Sequence, residues 1–279
     1  METLLVAAKP TRRLTTKTVI TAATLLWCAV VPQDSRAIYG GEVAVGAPPA
    51  SAVHITLKRG RVSVSCSGTL VAPRLVLTAA HCVRTERGQA RRVTSVRIGD
   101  RKKGFIRRRV RKIAVHPRYN PAEPSHGFDV AVLQLRKPVR KFQAVPLGAQ
   151  EDSPQRHGDR VVVRGFGLTR NKRGHIKRSK KLRQAKLQVI TSCFRSPNAA
   201  RKAEMNTRIL CAASPSQGVC HGDSGGPVVR NVGPREVVVG VISNVLDRHR
   251  RCVDGMMIAT RLSTVAQWLD KQVMSLSGK

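Results

Sequence analysis

The chain has 279 residues, 51 Lys and Arg against 16 Asp and Glu, and a formal net charge of +35. That excess is far beyond what solubility needs; it points to polyanionic partners or to a densely solvated basic surface. Hydrophobic residues make up 41%, enough for a packed core, but aromatics only 3%, so Val, Leu, Ile and Ala must build it. None of the seven cysteines is spaced CxxC, which excludes a zinc ribbon or a thioredoxin motif.

In chain order, the first element is a targeting segment. Lys9, Arg12, Arg13 and Lys17 precede an apolar run over 19–31 and the tripeptide Ser35-Arg36-Ala37. A basic region, a short apolar run and a small-x-small site predict a signal peptide over 1–37 and a secreted product. The run is too short to span a bilayer, so no membrane span is expected after cleavage. A membrane-anchored module would require residues 1–37 to be retained. Cleavage after Ala37 removes Cys28 and leaves Cys66, Cys82, Cys193, Cys211, Cys220 and Cys252. An even set in an exported chain reads as three disulfides, whose connectivity the count alone leaves open. The cut also removes five basic and two acidic residues, so 38–279 keeps 46 and 14, a net +32. The basicity belongs to the mature chain.

Downstream the pattern is all-β. Short alternating or apolar stretches recur at 52–57, 61–66, 69–71, 75–78, 94–98, 105–115, 129–135, 160–164, 186–190, 227–230 and 236–243. Gly, Pro, Asn and Asp punctuate them, as in sandwiches and barrels. The polar stretch 147–160 reads as a connection between two halves, 38–150 and 156–262. A short C-terminal helix is expected over 263–275, with Ser263 as N-cap and Val265, Trp268 and Leu269 on one face.

Three segments carry chemistry: LTAAHC (77–82), FDVAVLQL (128–135) and GVCHGDSGGP (218–227). They supply His81, Asp129 and Ser224. Each is unremarked alone, since a histidine is usually a surface or core residue and a serine among glycines usually a loop. Together they have a reason. A serine hydroxyl needs a base to take its proton, and the base needs a third group to fix its tautomer and steady its charge. Glycines beside the serine leave backbone amides free to meet an oxyanion.

In these motifs the chain resembles the chymotrypsin-like serine proteases over essentially all of 38–279. The resemblance implies two antiparallel six-stranded β-barrels packed together with a short C-terminal helix. It also implies a serine endopeptidase acting on protein or peptide substrates, monomeric and without cofactor or metal. Ser224 would attack the peptide carbonyl, His81 would take the proton, and Asp129 would hold His81. Gly222 and Ser224 would form the oxyanion hole, with Ser243 supporting Asp129. The implied disulfides are Cys66–Cys82, Cys193–Cys211 and Cys220–Cys252. IYGG (38–41) resembles the family's mature N-terminus, whose freed amine would pair, here from Ile38, with Asp223. Arg36 sits one residue too early for a trypsin-type activating cut, so export itself is expected to create that amine.

The residues implied for the specificity pocket are Gly218, Val219, Val245 and Met257. None offers a carboxylate for a basic side chain, so the pocket reads as short, apolar and elastase-like, taking small aliphatic residues. The basic loops 100–112, 170–186 and 248–251 are candidate docking sites for anionic polymers. With one acid among thirteen residues, 100–112 is no calcium loop. The rival reading is a polyanion-binding or antimicrobial protein on the same scaffold with an idle catalytic site.

Overall fold

The computed structural model describes residues 38–48, 52–100, 104–148, 156–170, 176–191, 193, 198–246, 252 and 255–277. The expected signal peptide 1–37, the loop 248–251, and parts of the other two basic loops (101–103 and 171–175) lie outside the described residues. So do 149–155 of the connecting stretch.

The short strand β1 (Glu42–Val43) is followed by β2 (Val53–Arg59), β3 (Val62–Ala72), β4 (Leu75–Thr78) and the one-turn helix α1 (Ala80–Val83). Then come β5 (Val93–Asp100), β6 (Gly104–Arg108), β7 (Val110–Val115) and β8 (Ala131–Leu135). Strands β2 to β8 form one antiparallel sheet in the order β6-β5-β2-β3-β4-β8-β7. Its two edge strands are neighbours in sequence, separated only by Arg109. The first pairs with β5 and the second with β8, so the sheet curls until one run of chain lies at both edges. Alternation drives this. Val53, Ile55 and Leu57 of β2 are fully buried while His54, Thr56 and Lys58 face outward.

The second half holds β9 (Arg160–Gly165), the hairpin β10 (Leu168–Arg170) and β11 (Ile176–Arg178), β12 (Arg183–Ile190), α2 (Ala199–Arg208) and β13 (Ile209–Ala213). It continues through β14 (Pro227–Val232), β15 (Arg235–Leu246), β16 (Met256–Arg261) and α3 (Ala266–Ser277). Here β12-β13-β16-β15-β14-β9 pair in turn and β9 pairs back to β12, closing a six-stranded antiparallel barrel. Strand β1 pairs with the start of β12. The core under the first sheet includes Val238, Val241 and Leu262 of the second half and Leu269 of α3, so the halves share apolar packing.

The strands β13 and β16, absent from the alternation reading, are buried on both faces: ILCAA and MMIATR are nearly continuous apolar runs without a two-residue period. The helix α2 buries only Met205 among its described side chains, so it carries little apolar signal. The C-terminal helix begins as a 3₁₀ turn, Ser263–Val265, in which Leu262 is the capping residue and no side chain caps. Ser263 therefore lies inside the first turn and not at the expected N-cap. Three disulfides, Cys66–Cys82, Cys193–Cys211 and Cys220–Cys252, tie the structure. Among the described residues no helix is long and apolar enough to cross a membrane.

Candidate active site

The site is assembled from three loops. Buried β4 delivers the chain into α1, whose second residue is His81. The Cys66–Cys82 disulfide fastens that turn to β3. Asp129 precedes β8, after Phe128 in a left-handed conformation (φ 58°) that re-aims the chain inward. Asp129 is fully buried. One of its oxygens, Oδ1, accepts the His81 backbone N–H at 2.9 Å. The other, Oδ2, meets His81 Nδ1 at 2.7 Å and accepts from Ser243 Oγ at 2.5 Å. Thr260 Oγ1 donates to the Asp129 carbonyl at 3.3 Å. The carboxylate therefore accepts a hydrogen bond from Nδ1–H, which leaves Nε2 as the acceptor nitrogen.

The electrostatics follow from this contact. Burial pushes the His81 pKa down, but the Asp129 charge and hydrogen bond outweigh it and hold it above the usual 6.5, against a smaller opposing push from Arg91. Burial likewise raises Asp129, and His81 and Ser243 more than reverse it, holding the carboxyl below its usual 3.8.

The loop bearing Ser224 is anchored on several sides. Ser67 N–H donates to the Ser224 carbonyl at 2.8 Å, and Ser67 Oγ donates to the Gly222 carbonyl at 2.9 Å. Sγ of Cys82 lies 3.7 Å from that Ser224 carbonyl and 3.9 Å from His81 Nε2, so one sulfur touches both loops. Within the loop the amides of Asp223, Gly225 and Gly226 are spent on Cys220, Ile242 and Asp223 carbonyls at 3.0, 2.7 and 2.8 Å. Among the described residues the amides of Gly222 and Ser224 have no acceptor. Gly225 is there by necessity. At φ +81° a Cβ would lie 2.2 Å from Thr78 Oγ1 and 2.4 Å from the Ser67 carbonyl.

Asp223 points the other way, into a fully buried site. Its Oδ1 accepts from Gly167 N–H at 2.8 Å and its Oδ2 from Cys220 N–H at 2.9 Å. Burial pushes its pKa up to about 7, with those two amides pulling back. Ile38 is fully buried at φ 49°, packed in one apolar cluster with Val219, Met257 and the partly buried Val245. Met257 is the cross-strand partner of Val245. Gly218, also buried, donates its N–H to the Tyr39 carbonyl at 2.9 Å, which docks the 38–41 segment beside these residues.

Three contributors escaped the sequence reading. Ser67 grips the Ser224 loop from 155 positions away, and Phe166 N–H donates to the Ser67 hydroxyl in turn at 3.1 Å. Gly165 and Gly167 leave room for the Asp223 carboxylate, which a Cβ at either would meet at 2.1 or 2.6 Å. The GFG spacing at 165–167 was the available signal. Cys66, His81 and Cys82 also lie together like metal ligands, but both sulfurs are consumed in a disulfide and no thiolate remains.

The model of the family described as Trypsin matches residues 38–269. The chain belongs to the trypsin family. As a family member it is a serine protease, and its relatives bear this out. It is 29% identical over 255 residues to chymotrypsin-like elastase family member 1 of Canis lupus familiaris, covering 88% of this chain and 95% of the relative. It is 31% identical over 214 residues to granzyme M of Homo sapiens, covering 74% and 78%. The human chymotrypsin-like elastase family member 1 is 26% identical over 253 residues, covering 88% and 95%.

Proposed function

We propose that this trypsin-family protease is a secreted endopeptidase that cleaves after small aliphatic residues, with Ser224 as nucleophile. The observation that carries the reading is Asp129, whose two oxygens are both committed to His81 and to the serine that braces it. That commitment sets His81 Nε2 as the base. Ser224 Oγ attacks the peptide carbonyl carbon while its proton passes to Nε2. The oxyanion is met by the amides of Gly222 and Ser224, which have no acceptor among the described residues. The C–N bond then breaks, and His81 returns the proton to the leaving amine. A water, deprotonated by His81, hydrolyses the ester and frees Ser224.

The apolar cluster of Val219, Val245 and Met257, beside uncharged Gly218, supports the small aliphatic preference. Buried Asp223 supports activation by cleavage after Ala37. A carboxyl pushed toward neutrality by burial wants a cation, and the Ile38 amine supplies one. The basic surface, strongest in 104–112 and 176–186 among the described residues of the three loops, docks anionic partners. The test is a peptide panel varying the residue before the cut, run with wild type and Ser224→Ala. Ser224-dependent cleavage after Val or Ala is expected. Ser224-dependent cleavage after Arg would overturn the pocket reading.

A further inference from the structure

On the outer face of the first sheet, register sets four residues in one transverse row. Ser67 of β3 lies opposite His54 of β2, His54 opposite Arg97 of β5, and Arg97 opposite Arg107 of β6. The row starts at the nucleophile loop, where Ser67 Oγ holds the Gly222 carbonyl, and ends in two guanidinium groups. Strands lie about 4.8 Å apart, so Arg97 and Arg107 stand roughly 10 and 15 Å from Ser67.

Two like charges directly opposite on neighbouring strands repel. Burial, and after it the Arg107 charge, loosen the hold of Arg97 on its proton. Among the described residues neither arginine has an ion-pair partner. Arg97 is also fixed in place. Its Cζ sits 4.2 Å from the Phe105 ring centroid, and its buried Nε has no hydrogen-bond partner. By contrast Arg108, next in sequence, is spent on the Pro138 carbonyl at 3.3 and 3.1 Å. A fixed guanidinium beside a second, exposed one, with no carboxylate paired to either among the described residues, suits acidic groups.

We infer that Arg97 and Arg107 form an exosite that captures an acidic segment of the protein substrate a few residues from the bond being cut. An extended peptide covers about 3.3 Å per residue, so carboxylates roughly three to five residues from the scissile bond reach the pair. Few aromatics accompany the charges, which disfavours stacked nucleic acid. The inference rests on the protease reading of Ser224, and the test keeps the two apart.

The test uses peptides with an Ala-Ala-Val core carrying four Glu or four Gln, placed before or after the cut. They are assayed with wild type and with Arg97→Gln/Arg107→Gln. One Glu-bearing peptide should show a KM about 5- to 10-fold lower at low salt, an advantage lost near 0.5 M salt. The double variant should lose that advantage, keep kcat/KM on the bare core peptide, and unfold at the same temperature or higher, since a repulsion is removed. Equal KM values for Glu and Gln peptides, or an advantage that survives in the variant, overturn the exosite. So does a sulfated oligosaccharide that binds through these arginines while acidic peptides gain nothing. If no peptide is cleaved by any form, the proposed small-aliphatic specificity fails. Fluorescence anisotropy of the Glu peptide on Ser224→Ala then decides the exosite alone: affinity lost on adding the two Arg→Gln changes upholds it, and affinity unchanged overturns it.

Discussion

Retaining residues before Ile38 should make folding stability fall as pH rises through the acidic range. In the extended chain Asp223 is fully buried, accepts only from backbone amides among the described residues, and has its pKa pushed from 3.8 to about 7. The folded state then binds this proton more tightly than the unfolded state. Stability is whole below pH 4, declines between pH 4 and 7, and is flat above. A shift of about three units amounts to about 4 kcal/mol. In a chain beginning at Ile38 the freed ammonium neutralises the carboxylate and removes most of that slope. Urea unfolding of both forms, at intervals from pH 4.5 to 7.5, measures the difference. Comparing the forms cancels His81 and Asp129, which titrate alike in each. Asp223→Asn in the extended form should flatten the slope. Equal pH slopes for extended and mature chains would refute the argument that the Ile38 amine is the partner of Asp223.

Three further outcomes follow from the site. Asp129→Asn should cut kcat by about 1000- to 10,000-fold on a peptide substrate. In wild type the acid limb of kcat/KM should lie above pH 6.5. In this variant it should move to lower pH, because burial and Arg91 then act on His81 unopposed. Gly225→Ala forces a Cβ to 2.2 Å from Thr78 Oγ1 at φ +81° and should destabilise by several kcal/mol, about 4 or more, read as a lowered melting temperature. Gly218→Asp should add cleavage after Arg or Lys to a peptide panel, and an unchanged panel would count against Gly218 lining the specificity pocket.

How much of this was readable beforehand depends on whether the signal is local. His81, Asp129 and Ser224 stood out because each lies in a short motif, and Ser243 through the family resemblance. Strand β2 announced itself through alternation, as Val53, Ile55 and Leu57 do, and the fully buried β4 and β8 as short apolar runs. Strands β13 and β16 carry no two-residue period and were not read. Ser67 was opaque for another reason: its role exists only once β3 meets a loop 155 positions later. The arginine row is of the same kind, since Arg97 and Arg107 become neighbours only through the β5–β6 register.

The central claim is that Ser224 is a nucleophile activated by His81. A fluorophosphonate probe reacts with such a serine and forms a stable ester that peptide mass spectrometry can locate. One equivalent of label on Ser224 is expected in the mature protein, and none in Ser224→Ala or His81→Ala. An unlabelled Ser224 in folded mature protein, or labelling that persists without His81, would contradict the account.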